Sequence, residues 1–244
     1  PPFLQPFYDL IKLFGKQPLA LHRPQIMYAV LHLVFMMLVV VLLVQGQDLL
    51  MVLFVQAFSV ICLVLGGMSV RSPYSWIGSQ RKILQMLAYE PVLVLLILAV
   101  NLRDNSFLAS KVIENPNPLI FSMPLLFLAF LCVVAIEFQK SPFDVATSHH
   151  AHQEIVKGIT LEFSGPFLGL IEIAHCYELA IFFGLMMAFW HTSLIAGFLL
   201  AFCSFLFLLI LDNAFSRLTS YWMLRYMWTV PLTLALANLI WLWR

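Results

Sequence analysis

Residues 166–211 read PFLGLIEIAHCYELAIFFGLMMAFWHTSLIAGFLLAFCSFLFLLIL, two apolar runs at 166–190 and 194–211 separated by His191, Thr192 and Ser193. Each run approaches the ~20 apolar residues that a helix needs to cross a hydrocarbon layer. Working outward, five more runs of this kind occur at 26–44, 49–68, 83–101, 119–137 and 222–243. Inside a bilayer each backbone N–H and C=O must be satisfied without water, so runs of this length are helices. The sequence therefore predicts an all-α polytopic membrane protein with seven transmembrane helices in a single transmembrane domain covering 1–244. Composition agrees: 62% of residues are hydrophobic, 10% are charged and the mean hydropathy is +0.96. A soluble domain carries about 25% charged residues.

Residues 3–23, FLQPFYDLIKLFGKQPLALHR, alternate apolar side chains with Asp9, Lys12, Lys16 and Arg23. That run is too polar to cross a bilayer and suits an amphipathic helix lying on its surface. With this segment inside, alternation places ten basic residues on the cytoplasmic side (Lys12, Lys16, Arg23, Arg71, Arg81, Lys82, Lys140, Lys157, Arg217 and Arg225) and three outside (Arg103, Lys111 and Arg244). The excess satisfies the positive-inside rule and makes the 138–165 loop cytoplasmic. The connection 69–82, SVRSPYSWIGSQRK, lacks a long apolar run and is placed at the same interface. The opposite loop, 102–118, is rich in Asn and Pro.

Cys62, Cys132, Cys176 and Cys203 are isolated within apolar runs, with no CxxC spacing. They read as small packing residues, and no metal or cluster site is expected on this chain. Nothing in the sequence suggests a nucleic-acid partner. No signal peptide is visible, and no internal repeat supports an inverted-repeat transporter.

The chemistry is concentrated at 137–178, which holds Glu137, Asp144, Glu154, Glu162, Glu172 and Glu178 together with His149, His150, His152 and His175. A charge near the bilayer centre costs about 2.5–3.5 kcal/mol on insertion scales, so such residues face the protein interior and mark ion or substrate paths. Glu172, His175 and Cys176 share one helical face, with Glu178 turned away from Glu172. Stacked carboxylate and imidazole groups suit proton exchange, or a purely structural hydrogen-bonded pair. Glu90 precedes Pro91 in the third run, where a missing backbone donor can kink the helix and admit water. His149, His150 and His152 lie in one short loop, which suits partner contacts or proton entry better than a metal site, whose ligands come from separated segments. His32, His191 and Asp212 read as interface anchors or helix caps.

Three blocks carry a resemblance. Glu137-Phe138-Gln139-Lys140-Ser141-Pro142-Phe143-Asp144, followed by Glu154-Ile155-Val156-Lys157-Gly158 and Leu161-Glu162-Phe163-Ser164-Gly165, is similar to the signature of the subunit-1 family of respiratory complex I and its hydrogenase relatives. Leu4-Gln5-Pro6 through Lys16 resembles that family's surface helix, and Ser72-Pro73-Tyr74 through Gln85-Met86-Leu87-Ala88-Tyr89-Glu90 resembles its block entering the fourth span. The family has eight spans, which implies a first helix upstream of Pro1. The His-rich stretch 145–153 resembles the energy-converting, Ech-type nickel–iron hydrogenases more than complex I itself.

The resemblance implies a membrane-anchor and ion-translocation subunit that couples ferredoxin oxidation and hydrogen formation to proton or sodium transport. Its expected setting is the plasma membrane of a prokaryote. The expected partners are a nickel–iron large subunit, an iron–sulfur small subunit and a ferredoxin-like subunit of a peripheral arm, with an antiporter-like membrane subunit; the nickel–iron centre and iron–sulfur clusters belong to those partners. The ion path is read as Glu90, Glu137, Asp144, Glu154, Glu162, Glu172, His175 and Glu178. Arg71, Arg81, Lys82, Lys140 and Lys157 are read as docking the arm or stabilising ionised states. Two other readings stay open: a quinone-binding subunit of a complex I-like dehydrogenase, and a passive anchor whose charges only hold helices together.

Overall fold

A computed structural model describes residues 4–18, 23–140, 143, 156–215 and 218–243. Helix α1 (Gln5–Phe14) begins with Pro6, whose missing N–H costs nothing in a first turn. It exposes Phe7, Tyr8, Ile11 and Phe14 alongside Asp9 and Lys12, the composition of a helix lying on a surface. It is shorter than the 3–23 segment expected, because the chain turns at Gly15, whose N–H closes the last turn onto the Ile11 carbonyl.

Six long helices carry the bundle: α2 (Arg23–Val44), α3 (Leu49–Met68), α4 (Pro73–Asp104), α8 (Pro166–Ala188), α9 (Leu194–Ala214) and α10 (Ser220–Trp243). Each is long and apolar enough to cross a membrane. Between α4 and α8 lie three shorter helices, α5 (Ala109–Glu114), α6 (Leu119–Ser122) and α7 (Pro124–Glu137), and a 3-10 turn at Val156–Thr160. The connections alternate, so the 69–72 turn, residues 138–140 and 156–165 between α7 and α8, and the end of α9 with the start of α10 share the α1 side. The 45–48 turn and α5 lie on the far side, where an isolated bridge joins Asp48 to Leu108.

Two expectations change. The 69–82 connection is not a surface loop: α4 starts at Pro73, and Ser75, Gly78, Ser79, Arg81 and Lys82 are buried along it. A hydropathy reading ends where polar residues begin, but these polar groups face the bundle rather than lipid, so the helix continues through them. The run 119–137 is a helix broken at Met123–Pro124 rather than one continuous span. Pro124 supplies no N–H, and the groups freed there are met by Asn238 of α10, whose Oδ1 accepts from Leu126 N (3.0 Å) and whose Nδ2 donates to the Ser122 carbonyl (3.2 Å). The fourteen-residue α7 spans about 21 Å at 1.5 Å per residue, short of a full crossing.

The end of α7 is fixed by its backbone. Gln139 adopts a left-handed conformation (φ 50°), its N–H bonds the Ile136 carbonyl, and the Lys140 N–H reaches back to the Ala135 carbonyl. This is a Schellman ending, which satisfies the last carbonyls where no helix continues. It leaves Glu137 on the final turn, inside the bundle. The apolar core packs around α7, with Phe130, Val133, Val134 and Ile136 wholly enclosed by α4, α8 and α10.

Candidate functional site

Five helices bring polar side chains to one depth. His32 is the tenth residue of α2, Lys82 the tenth of α4 and His175 the tenth of α8, while Ser59 is the tenth from the end of α3. At 1.5 Å per residue each lies about 14 Å in from the helix end on the α1 side. The fifth member, Glu137, arrives because α7 stops at this level. Buried polar groups persist only when partnered.

Lys82 Nζ donates to Glu137 Oε2 at 2.9 Å, with both side chains at most 2% exposed. His175 Nδ1 meets Glu178 Oε2 at 2.9 Å. Glu178 also stands against Glu137, and the Tyr89 ring is buried beside the same carboxylate. The expected stacking of Glu172 on His175 is replaced by the pair with Glu178. Both are three residues from the histidine, but a helical side chain leans toward the N-terminus, so Glu178 covers the turn that carries His175.

A cavity of about 250 Å³ adjoins these groups, lined among others by Lys82, Glu137, Glu172, His175 and Glu178 at one end and by Lys157 and Thr160 of the 3-10 turn at the other. It leads from the α1 side to the Glu137–Glu178 cluster. A carboxylate array in contact with a water-sized space can exchange protons or receive a small cation. Glu137 retains one oxygen, Oε1, without a hydrogen bond to a described residue.

His32, which the sequence casts as an interface anchor, is instead 1% exposed. Its Nδ1 lies 2.8 Å from Ser59 Oγ and 3.0 Å from the Ser59 carbonyl, and its ring sits edge-on to that of His175 with centroids 6.3 Å apart. Asp212, expected as a cap or anchor, forms an ion pair with Lys140 at 3.2 Å and so ties α9 to the segment after α7. His191 bridges from the end of α8, near the Ala188 carbonyl, to the Asn115 carbonyl on the far side (2.7 Å).

The other residues singled out by sequence are dispersed. Glu90 is half-buried against a cavity of about 10 Å³ shared with Gln56 and Tyr89, the threshold for one water, and α4 is not interrupted at Pro91. Glu162 is partly buried, and its carbonyl accepts from Gln25 Nε2 (3.0 Å). Arg81 is buried and donates to the Phe143 carbonyl (2.6 Å) and the Leu218 carbonyl (3.2 Å), tying these two residues to α4. Arg71 and Lys157 are exposed on the α1 side. Asp144, Glu154, His149, His150 and His152 fall outside the described residues. Of the four free cysteines, Cys62 is buried, while Cys176 and Cys203 are exposed on helix surfaces rather than packed inside.

A second, larger cavity of about 380 Å³ lies toward the far side, lined by aliphatic and aromatic residues of α2–α5 and α8 with Gln56 as its polar contact. It does not share residues with the polar cavity.

The sequence profile described as NADH dehydrogenase matches residues 1–243. The chain is 30% identical over 209 residues to a subunit of the NADH-quinone oxidoreductase of Geobacillus kaustophilus, the match covering 80% of this chain and 62% of that protein. It is 29% identical over 209 residues to the corresponding subunit of Geobacillus thermodenitrificans, with the same coverage. The matched region thus spans somewhat less than two thirds of these relatives. Its fold is similar to that of a chain in the membrane-bound sulfane sulfur reductase, an archaeal respiratory membrane complex, with a TM-score of 0.87 and 23% identity over 99% of this chain and 87% of that one.

Proposed function

Since this chain belongs to the NADH dehydrogenase family, we propose that it is the membrane subunit of a complex I-like respiratory complex that passes the charge changes of a redox arm to ion movement. The observation that carries this reading is the buried Lys82–Glu137 ion pair beside the His175–Glu178 hydrogen bond, both lining one cavity toward the α1 side. Helix packing alone gains little from such groups, because desolvating them offsets their attraction. Their cost is explained if their protonation responds to an event at the mouth of the cavity.

In this mechanism a negative charge arriving in the arm near Lys157 draws a proton or cation into the cavity. Glu172 receives it first, and His175 and Glu178 next. Neutralising Glu178 removes its repulsion of Glu137, and the Lys82 ammonium redistributes between the two carboxylates. Strongly interacting sites of this kind titrate as a unit. The array is reached from one side, so a neighbouring antiporter-like membrane subunit would complete the crossing.

For the redox partner, the His-rich 145–153 segment supports an Ech-type hydrogenase arm that oxidises ferredoxin and forms hydrogen, with the nickel–iron centre and iron–sulfur clusters on partner subunits. The relatives belong to NADH-quinone oxidoreductases and the fold neighbour to a sulfane sulfur reductase, and either chemistry is an alternative for the arm. The large apolar cavity shares no lining residue with the polar cavity, and Gln56 is its polar contact.

The test uses vesicles containing the whole complex, driven by reduced ferredoxin, with hydrogen formation and ion uptake followed together. Glu137→Gln is expected to leave electron transfer running while uptake collapses. Wild-type rates of both would reduce the array to a structural element. If the unaltered complex forms no hydrogen but reduces a quinone or polysulfide, the arm is of that other kind while the coupling reading stands.

A further inference from the structure

We infer that His32 is a dead-end proton store beside the coupling array, taking up a proton from His175 and returning it by the same atom. The inference rests on the coupling reading above and adds to it a residue that the ion-path reading did not include.

The hydrogen bonds around His32 fix its tautomer. Ser59 Oγ lies 2.8 Å from both Nδ1 and the His32 backbone carbonyl, to which it can donate its single proton. The other neighbour of Nδ1 is the Ser59 carbonyl oxygen, which accepts only. Nδ1 therefore carries the hydrogen, and in the neutral ring Nε2 is a bare lone pair. That atom is buried and makes no hydrogen bond to a described residue. A buried acceptor without a donor costs about 1–3 kcal/mol, which a proton at Nε2 relieves only where a nearby carboxylate offsets the cost of burying the charged ring.

His175 is the group placed to supply that proton. Its Nδ1 is held by Glu178 and its ring borders the cavity, where it has freedom that the enclosed His32 lacks. The two rings stand edge to face with centroids 6.3 Å apart, which places His175 as the protonatable ring beside His32. In the transfer, the Nε2–H bond of a doubly protonated His175 breaks and an Nε2–H bond forms on His32; net charge is conserved. The proton goes no further, because both acceptors of Nδ1–H are committed: one hydroxyl already donates elsewhere and one is a carbonyl. A relay would need an outlet, and the described residues around the ring provide none.

The charged groups that govern this store come from every neighbouring helix. Burial opposes a charged His32, as do a protonated His175 and Lys82 on α4, whereas Glu178 on α8 favours it; Glu172 on α8 and Glu137 on α7 complete the surrounding set. Filling the store is therefore tied to which carboxylate Lys82 neutralises.

The experiment uses vesicles of the intact complex with the donor it accepts in the assay above. His32→Asn keeps a side-chain N–H toward Ser59 and deletes the Nε2 position. The rapid proton uptake accompanying the first electron is expected to fall by about one proton per complex, the capacity of one imidazole, with the steady-state ratio of ions to electrons unchanged. An undiminished first uptake overturns the inference, and so does a collapse of steady-state transport, which would make His32 a through-relay. Glu178→Gln, measured alongside, is expected to lose transport; if it does not, the coupling reading fails separately. Nitrogen-15 spectra of histidine-labelled wild-type complex give an independent check. They are expected to show His32 with Nδ1 protonated and Nε2 bare at alkaline pH, Nε2 gaining a proton on acidification. A bare Nδ1, or an Nε2 protonated throughout, contradicts the proposal.

Discussion

Lys82 is enclosed inside the bundle with a side chain only 2% exposed, and its neighbour Glu137 is equally enclosed. Removing one member of a buried pair leaves the other uncompensated, at a cost of about 3–5 kcal/mol. Lys82→Met is therefore expected to lower the thermal inactivation midpoint of the complex, and Lys82→Met with Glu137→Gln to recover most of it. Additive losses in the double variant would show that the two side chains do not interact. The sequence marks Glu137, Glu172, His175 and Glu178 as belonging together because charge at membrane depth is rare. It assigns Lys82 to a surface connection, since an apolar window stops at the first cluster of polar residues. His32 and Ser59 escape for another reason: each is an uncharged polar residue inside a long apolar run. Their signal is positional, ten residues from a helix end in register with Lys82 and His175, and it emerges only when helix ends are known.

Among the elements, α6 and α7 depend on a partner outside themselves. The break at Met123–Pro124 frees the Leu126 N–H and the Ser122 carbonyl, and the wholly buried Asn238 amide meets both. Asn238→Leu leaves two backbone groups without partners, each costing about 1–3 kcal/mol. It is expected to reduce the yield of assembled complex and its thermal midpoint, while Asn238→Gln falls between; unchanged stability of Asn238→Leu would mean that the break is satisfied in another way. Gly165 governs a second junction. Its φ is 57°, and an added Cβ would stand 2.8 Å from the Gln17 carbonyl after α1. Gly165→Ala thus adds backbone strain of about 1–3 kcal/mol and pushes α1 from the start of α8. Faster proteolysis between α1 and α2 is the expected readout, and wild-type resistance would argue against it. Six of the seven expected spans are legible from apolar length alone. The break in the remaining one is not, because Pro124 is tolerated or disruptive according to what Asn238, 112 positions beyond Leu126, provides.

Across the molecule, polarity is divided by depth. The half toward α1 holds the Lys82–Glu137 and His175–Glu178 pairs, the polar cavity and the Arg81 clamp, while the largely buried Arg103–Asp104 pair closes the far end of α4. The apolar core runs through both halves around α7, and the far half adds an apolar cavity. Among the described residues, the route to the array therefore opens on the α1 side, and the direction of coupling depends on which compartment that side faces. The excess of Lys and Arg on the α1 side argues for the cytoplasm. Glu114 of α5 and Thr192 before α9 are exposed on the opposite surface and can report this. With Cys176 and Cys203 replaced by serine to silence background, Glu114→Cys and Thr192→Cys are each expected to react with a membrane-impermeant maleimide in right-side-out vesicles of the complex and to be protected in inverted ones. The reverse pattern would place the polar cavity on the outer side, where no ferredoxin-linked arm could dock, and would remove the basis for coupling a cytoplasmic redox reaction to this array. Labelling of one position from each side would instead contradict the alternation of helices on which the shared depth of His32, Lys82 and His175 rests.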